Sequence, residues 1–429
     1  MKKRVLSLYL VSNEDIEVSK TNKKIIISFL LLYVLSAIIS MVQTLTHKNY
    51  PGELEEFTRT ISSFEVVSLT FFNIISFISC YYIIWIFSKF RIKINKKIYV
   101  NFNERRINTL FFVLLLAQII FLLATGVGKV TINPDEIATS PYSPLFAFLK
   151  PEPFIYLFFL YFRTTKGFSY KKNILFTINI ILFIAFKILQ GWTSFLLIMF
   201  FLEMYARFQR KDNNKLFLLL PIIIILLGGW VYQYAFVLKN EIRGNNLPSI
   251  SYYQGIEQLT SRLSMNPVSL GAYQNFDTVI DLYQKENRIF KESESLLRPI
   301  LPGSLMDKDF RILNNNVMAS FYPDLNAYTS SDFGVIMYFS ILIKSSLPDF
   351  ILLSILTLIL FFIAKIYFDS MSLYEGQYDL LLFLIIFYWT YTVSIENVFG
   401  QGFFPYIFST IFFFLMGGIK ISTQHSRFS

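Results

Sequence analysis

Apolar residues come in runs of about 20 along this chain, the length a helix needs to cross the ~30 Å hydrocarbon core of a bilayer. Ile25–Val42, Ile61–Phe87, Thr109–Val127, Pro144–Phe162, Leu216–Val237, Leu347–Tyr367, Asp379–Ile395 and Pro405–Ile419 each suit one crossing. The run Ile174–Ala206 is too long for one helix. Polar groups and a glycine interrupt it at Gln190-Gly191-Trp192-Thr193, so it reads as two short crossings joined by a tight turn. The pattern predicts an all-α polytopic integral membrane protein with about ten transmembrane helices. Helices 1–7 fall in 1–237, a large helical extracytoplasmic segment in 238–346, and helices 8–10 in 347–429.

Composition agrees with that class. The chain is 54% apolar and 16% charged, against about 25% charged for soluble globular domains. This excludes a soluble enzyme and a disordered chain. Cys80, the single cysteine, excludes a disulfide scaffold. The net charge of +10 does not call for nucleic acid, because Lys and Arg concentrate in the connections that a ten-span chain keeps inside. The connections 88–108, 163–173 and 207–215 hold 15 basic residues in 41 positions, whereas 238–346 holds 10 in 109, offset by 11 acids. By the positive-inside bias both termini are then cytoplasmic and 238–346 lies outside. Val5–Val11, behind Lys2-Lys3-Arg4, has no cleavage pattern and reads as a short interfacial helix.

Within the outer segment, Ser251–Leu263 places Tyr252, Ile256, Leu259 and Leu263 on one helical stripe, with Ser251 as cap and Pro267 as terminator. Phe276–Tyr283 repeats the pattern. Both are expected to lie against the membrane surface. Leu296–Pro302 reads as extended, Asn314-Asn315-Asn316 and Tyr322-Pro323-Asp324 as polar turns, and Gly334–Ile343 as a helix half a span long. Lys187, near the end of a span, is expected to snorkel.

Common catalytic patterns are absent: no HExxH, CxxC, GxGxxG or P-loop occurs, and neither histidine, His47 nor His425, falls in 238–346. No metal or cofactor site is expected. The outer segment offers arginine instead. Arg243, Arg262, Arg288, Arg298 and Arg311 carry guanidinium forks that suit phosphate and pyrophosphate. Salt bridges to Glu257, Asp277, Asp281 and Glu292 are the alternative. Tyr252, Tyr253, Tyr273, Tyr322 and Tyr328 fit either sugar stacking or an interfacial aromatic belt.

The chain resembles the Wzy-type oligosaccharide repeat-unit polymerases, the O-antigen and capsule polymerases. Beyond the architecture, three stretches carry the resemblance: Ile188–Leu197 (ILQGWTSFLL), Ser261–Leu270 (SRLSMNPVSL) and Asn316–Tyr338 (NVMASFYPDLNAYTSSDFGVIMY). The first departs from the family's Gly-x-Arg-x, since Trp192 and Thr193 follow Gly191. The resemblance implies a metal-independent, GT-C-like glycosyltransferase of the bacterial inner membrane. Its substrates would be undecaprenyl-pyrophosphate-linked oligosaccharides, and its expected partners a chain-length regulator and a flippase. Arg262, Arg243, Arg288 and Arg298 would bind pyrophosphate. Asp277 or Asp324 would serve as base or hydroxyl-orienting carboxylate, and Tyr253 and Tyr322 would contact sugar. Two alternatives remain at this stage: an O-antigen ligase, and a lipid-linked oligosaccharide flippase or other transporter.

Overall fold

A computed structural model describes residues 7–10, 19–93, 96–129, 168–192, 194–208, 216–242, 249–286, 288–297, 310–324, 331–372 and 404–425, together with scattered positions between 138 and 163. Among the described residues, five helices are long and apolar enough to cross a membrane. They are α1 (Ser19–His47), α2 (Ser63–Lys89), α3 (Glu104–Thr125), α6 (Leu216–Ile242) and α13 (Leu347–Ser370). The protein is therefore a predominantly helical membrane protein. The expected crossing at 379–395 lies outside the described residues. That at 144–162 does so in large part, with helical positions at Ile155, Tyr156, Phe158 and Phe159. The last crossing is shorter than expected: α14 covers Phe404–Leu415 and gives way to a turn at Gly417.

The interruption at Gln190-Gly191 is a real helix break. Helix α4 (Ile174–Leu189) ends there, Gly191 adopts φ +82°, and α5 (Ser194–Phe208) follows. A φ of that sign costs an L side chain strain that glycine avoids. Arg163 binds Glu203 in α5 through Nε (2.7 Å) and Nη2 (2.5 Å), and Tyr170 donates to the same carboxylate at 2.9 Å. The open end of the α4–α5 hairpin is thus fixed beside 163–170. Its tip reaches the far end of α3: a Cβ on Gly128, three residues past α3, would lie 3.2 Å from Gln190 Nε2. Lys187 is 7% exposed, with Nζ 5.5 Å from the Trp192 ring centroid. The ammonium stays at the hairpin tip and does not snorkel into open solvent.

Two small sheets accompany the helices. Strand β1 (Ser7–Leu10) pairs antiparallel with β2 (Phe90–Lys93), so Val5–Val11 is not an interfacial helix. Strand β3 (Lys96–Phe102) lies between β4 (Met371–Ser372) and β5 (Ile419–His425). The register sets Ile98 opposite Thr423, Val100 opposite Ile421 and Phe102 opposite Ile419. That is the period-two alternation a half-buried strand requires. These pairings gather residues 7–10, the α2–α3 connection, the end of α13 and the strand after α14 on one face.

On the opposite face the loop 48–62 meets the segment 249–346. The segment contains α7 (Tyr252–Ser264), α8 (Asn266–Gln274), α9 (Phe276–Lys285), α10 (Lys291–Leu297), α11 (Leu313–Phe321) and α12 (Val335–Ser345). Ser251 caps α7 as expected, in a reciprocal capping box with Gln254. The helix ends at Met265, in the left-handed conformation (φ 55°), and Pro267 starts α8 instead of ending α7. Leu296 and Leu297 are helical, not extended, and the three asparagines 314–316 open α11 instead of forming a turn. In both places a carboxylate from elsewhere supplies the missing helix cap, as described below. Helix α12 is 11 residues long, half a span as its sequence suggests.

Helix α7 packs into the bundle where a surface-lying helix is expected, and α8 follows it there. Gly255 meets the backbone of Gly229 in the middle of α6, and Ile256, Leu259 and Leu263 join the core. Every residue of α8 from Asn266 to Ala272 is buried. That helix runs alongside α2: Tyr273 faces Glu65, while Asn266 and Ser269 bond Thr70 and Asn73. Asn73 lies about 15 Å from the start of α2 at 1.5 Å per residue. The turn between α7 and α8 is thus sunk into the bundle, its polar groups satisfied by α2. Non-helical backbone at such depth is tolerated only when protein surrounds it.

Candidate functional site

The loop 48–62 holds the centre of this second face. Pro51, Gly52 and Leu54 are buried, and Leu54 packs with Tyr50, Val66, Leu270 and Phe321. Fixed this way, Glu53 projects between three elements. Its Oε1 lies 2.7 Å from Arg262 Nη2 in α7, its Oε2 accepts from the Ser331 hydroxyl, and its backbone carbonyl accepts from the Tyr322 hydroxyl at 3.0 Å. Asp332 sits directly behind. It accepts from Asn314 Nδ2 at 2.8 Å, and the Ser331 amide donates to the Asn314 carbonyl at 3.3 Å. Burial and the charge of Glu53 push the Asp332 carboxyl well above its usual range. Asn314 and Arg262 oppose that rise without cancelling it. An arginine and two carboxyls, one of them with a raised affinity for its proton, are thereby brought together.

Beside Glu53 opens a cavity of about 450 Å³ lined by Gly52, Glu53, Glu55, Glu56, Phe236, Ile250 and Tyr322. Its size falls in the usual ~300–1,000 Å³ range of small-molecule sites. Carboxylates form its polar wall and rings and an aliphatic chain its apolar one. Phe57 meets the Tyr322 ring edge-on at 4.9 Å, which holds the tyrosine in place.

The residues singled out from sequence separate here. Arg262 and Tyr322 come together through Glu53. Arg288 does not join them: it pairs with Glu294 at 3.0 Å and stacks 5.0 Å over Phe310. Asp277 and Asp324 are exposed, and among the described residues neither forms an ion pair. Tyr253 is 78% exposed and meets Tyr252 edge-on, which in turn meets Trp230 on α6. That grouping has the character of an interfacial aromatic belt. Arg243 and Arg298 lie outside the described residues, as does Tyr328. The arginine partners also differ from the expected ones: Glu257 faces His47 at 3.7 Å, and Glu292 accepts from Leu313 N–H and the Tyr338 hydroxyl. Sequence reasoning passed over Glu53 because it sits in a short loop 209 positions before Arg262. The one available signal was the acidic run Glu53-Leu54-Glu55-Glu56 between two spans.

A second polar cluster sits under α10. Asp349, Glu292, Lys291 and Tyr283 are each at most 5% exposed. Lys291 Nζ lies 3.8 Å from the Tyr283 ring centroid, donates to the Tyr283 carbonyl, and faces Glu286 at 3.7 Å. Burial pulls the Lys291 ammonium below its usual range, while the surrounding carboxylates Glu286, Glu292 and Asp349 pull it back. The cluster joins α9, α10 and α13.

Compared with family models, curated proteins and solved structures, the chain finds no match in any of the three.

Proposed function

We propose that this protein polymerises undecaprenyl-pyrophosphate-linked oligosaccharide repeat units into O-antigen or capsular polysaccharide, on the outer face of the bacterial inner membrane. It would do so with ten spans in a GT-C-like layout, cytoplasmic termini, and no metal. The sequence resemblance motivates the reading. The observation that carries it is the Arg262–Glu53 pair at the wall of the cavity, on the face opposite both terminal strands.

The acceptor hydroxyl oxygen attacks the anomeric carbon of the donor glycan. The bond from that carbon to the pyrophosphate oxygen breaks, and its electron pair leaves on the pyrophosphate. Arg262 exchanges Glu53 for the departing phosphate and neutralises the charge that develops there. Freed of its counter-ion, the Glu53 carboxylate accepts the hydroxyl proton. Glu53 thus takes the role that the sequence assigned to Asp277 or Asp324. The leaving group is already good, so most of the acceleration comes from holding two lipid-linked sugars in line.

In a strain lacking the gene, complementation with Arg262→Ala or Glu53→Gln should abolish the long glycan ladder while the protein still inserts at normal abundance. Lipid A capped with single repeat units marks a lost polymerase, and bare lipid A a lost ligase. Full-length chains from Arg262→Ala would remove the pair from the chemistry.

A further inference from the structure

We infer that the cavity beside Glu53 is a saccharide subsite that selects by charge: it accepts neutral or amine-bearing sugars and rejects sugars that carry carboxylates. This rests on the polymerase reading for the ligand being a sugar, and adds which sugars fit. The apolar wall, built by Phe236, Ile250 and Tyr322, offers surface to the C–H face of a sugar ring. The lining also holds Glu53, Glu55 and Glu56, its polar wall. Ionised carboxylates only accept hydrogen bonds. A ligand on this wall must therefore bring donors, which sugar hydroxyls and ammonium groups do.

Charge decides the rest. Arg262 offsets Glu53. Glu55 and Glu56 are exposed, and among the described residues neither forms an ion pair. No lysine or arginine lines the cavity among the described residues. A uronic or sialic acid would set its carboxylate against two uncompensated ones. An amino sugar would meet them with the opposite sign. The apolar wall serves all three ligands alike, so it sets affinity and the glutamates set preference.

The test uses the full chain in nanodiscs of zwitterionic lipid and three tetrasaccharide probes: N-acetylglucosamine (neutral), glucosamine (cationic) and galacturonic acid (anionic). Binding is read by saturation-transfer NMR and by competition. The neutral and cationic probes should compete for one site, with the anionic probe at least tenfold weaker. The double variant Glu55→Gln, Glu56→Gln should narrow the cationic-to-anionic ratio at least threefold. Higher salt should narrow the same ratio in the wild type. Anionic binding as tight as neutral, an unchanged ratio in the double variant, or no binding of any probe would overturn the inference. Glycan laddering by Arg262→Ala reports on the polymerase reading separately, so either idea can fail while the other stands.

Discussion

The Asp349 carboxylate caps a helix that starts 58 residues earlier in the chain, accepting the backbone N–H of Glu292 at 2.9 Å. The same carboxylate accepts the Ser293 N–H (3.1 Å), the Ser293 hydroxyl (2.6 Å) and the Tyr283 hydroxyl (2.8 Å). Glu292 repeats the device one helix further on, accepting the Leu313 N–H that opens α11 at 2.7 Å. A carboxylate in the first turn of a membrane-spanning helix thus orders α10, and α10 in turn orders α11. Helix N-termini present unpaired N–H groups and favour negative charge, so each contact meets both needs.

Asp349→Asn should therefore destabilise the protein by about 3 kcal/mol, the usual scale for removing one partner from a buried charge network. Thermal or denaturant unfolding of the detergent-solubilised protein reads the loss. Amide exchange should quicken in both 291–297 and 313–321. Unchanged exchange in the second stretch would break the proposed relay.

Glu292→Gln tests the second link alone. It leaves the Asp349 cap intact and weakens the contacts to Leu313 N–H and the Tyr338 hydroxyl (2.6 Å). The expected cost is about 1–3 kcal/mol. Faster exchange should be confined to 313–321.

Gly255 has no room for a side chain. A Cβ there would fall well inside contact distance of the Gly229 carbonyl oxygen and 3.3 Å from its carbon, and backbone cannot swing aside. Gly255→Ala should cost about 1–3 kcal/mol by forcing α7 off α6. Gly418, whose Cβ would meet Ile107 Cγ1 at 3.0 Å and the Phe413 carbonyl oxygen only at 3.3 Å, is less tightly enclosed and should cost less. Equal losses at the two sites would contradict the close α6–α7 crossing.

Asp332 gives the outer face a pH dependence of known sign. Its folded carboxyl holds a proton that the unfolded chain releases near 3.8. Its stabilising contribution is therefore complete below that value and is lost as pH rises through the raised folded value. The wild-type unfolding midpoint should carry a falling component above about pH 4 that Asp332→Asn removes. Parallel midpoint curves for the two proteins would refute it.

The two faces predict a labelling pattern. In a Cys80→Ser background, Glu55→Cys and Ser251→Cys should react with a membrane-impermeant maleimide from the same side. Ser422→Cys should react only from the other. Reaction of Ser422→Cys together with Glu55→Cys would invalidate the strand pairings that join β3 to β5.

How much of this the sequence carried depends on the range of the interaction. Hydropathy marked α1, α2, α3, α6 and α13 because each run is long and uninterrupted. Gly191 and Ser251 were readable because a left-handed turn and a capping box are local events. The strand Lys96–Phe102 alternates with period two, but its place in a basic connection between spans hid the pattern. The asparagines 314–316 looked like a turn because their cap, Glu292, lies 21 positions away. Arg262 could be nominated from its side chain alone. Its partner could not, because Glu53 reaches it only after α1 and α2 have brought the first outer loop over α7.

The amides of Asn73 and Asn266, joined at 3.0 Å with Thr70 and Ser269 around them, make the outer segment a keystone and not a dome. Lifting α8 away would part Asn266 and Ser269 from α2 and leave the Asn73 side-chain amide facing hydrocarbon with nothing to bond, at a cost of several kcal/mol. The segment 249–346 is accordingly not an excisable soluble unit. Expressed by itself it would present the same groups, and the buried face of α8, to water without the helices they were shaped against.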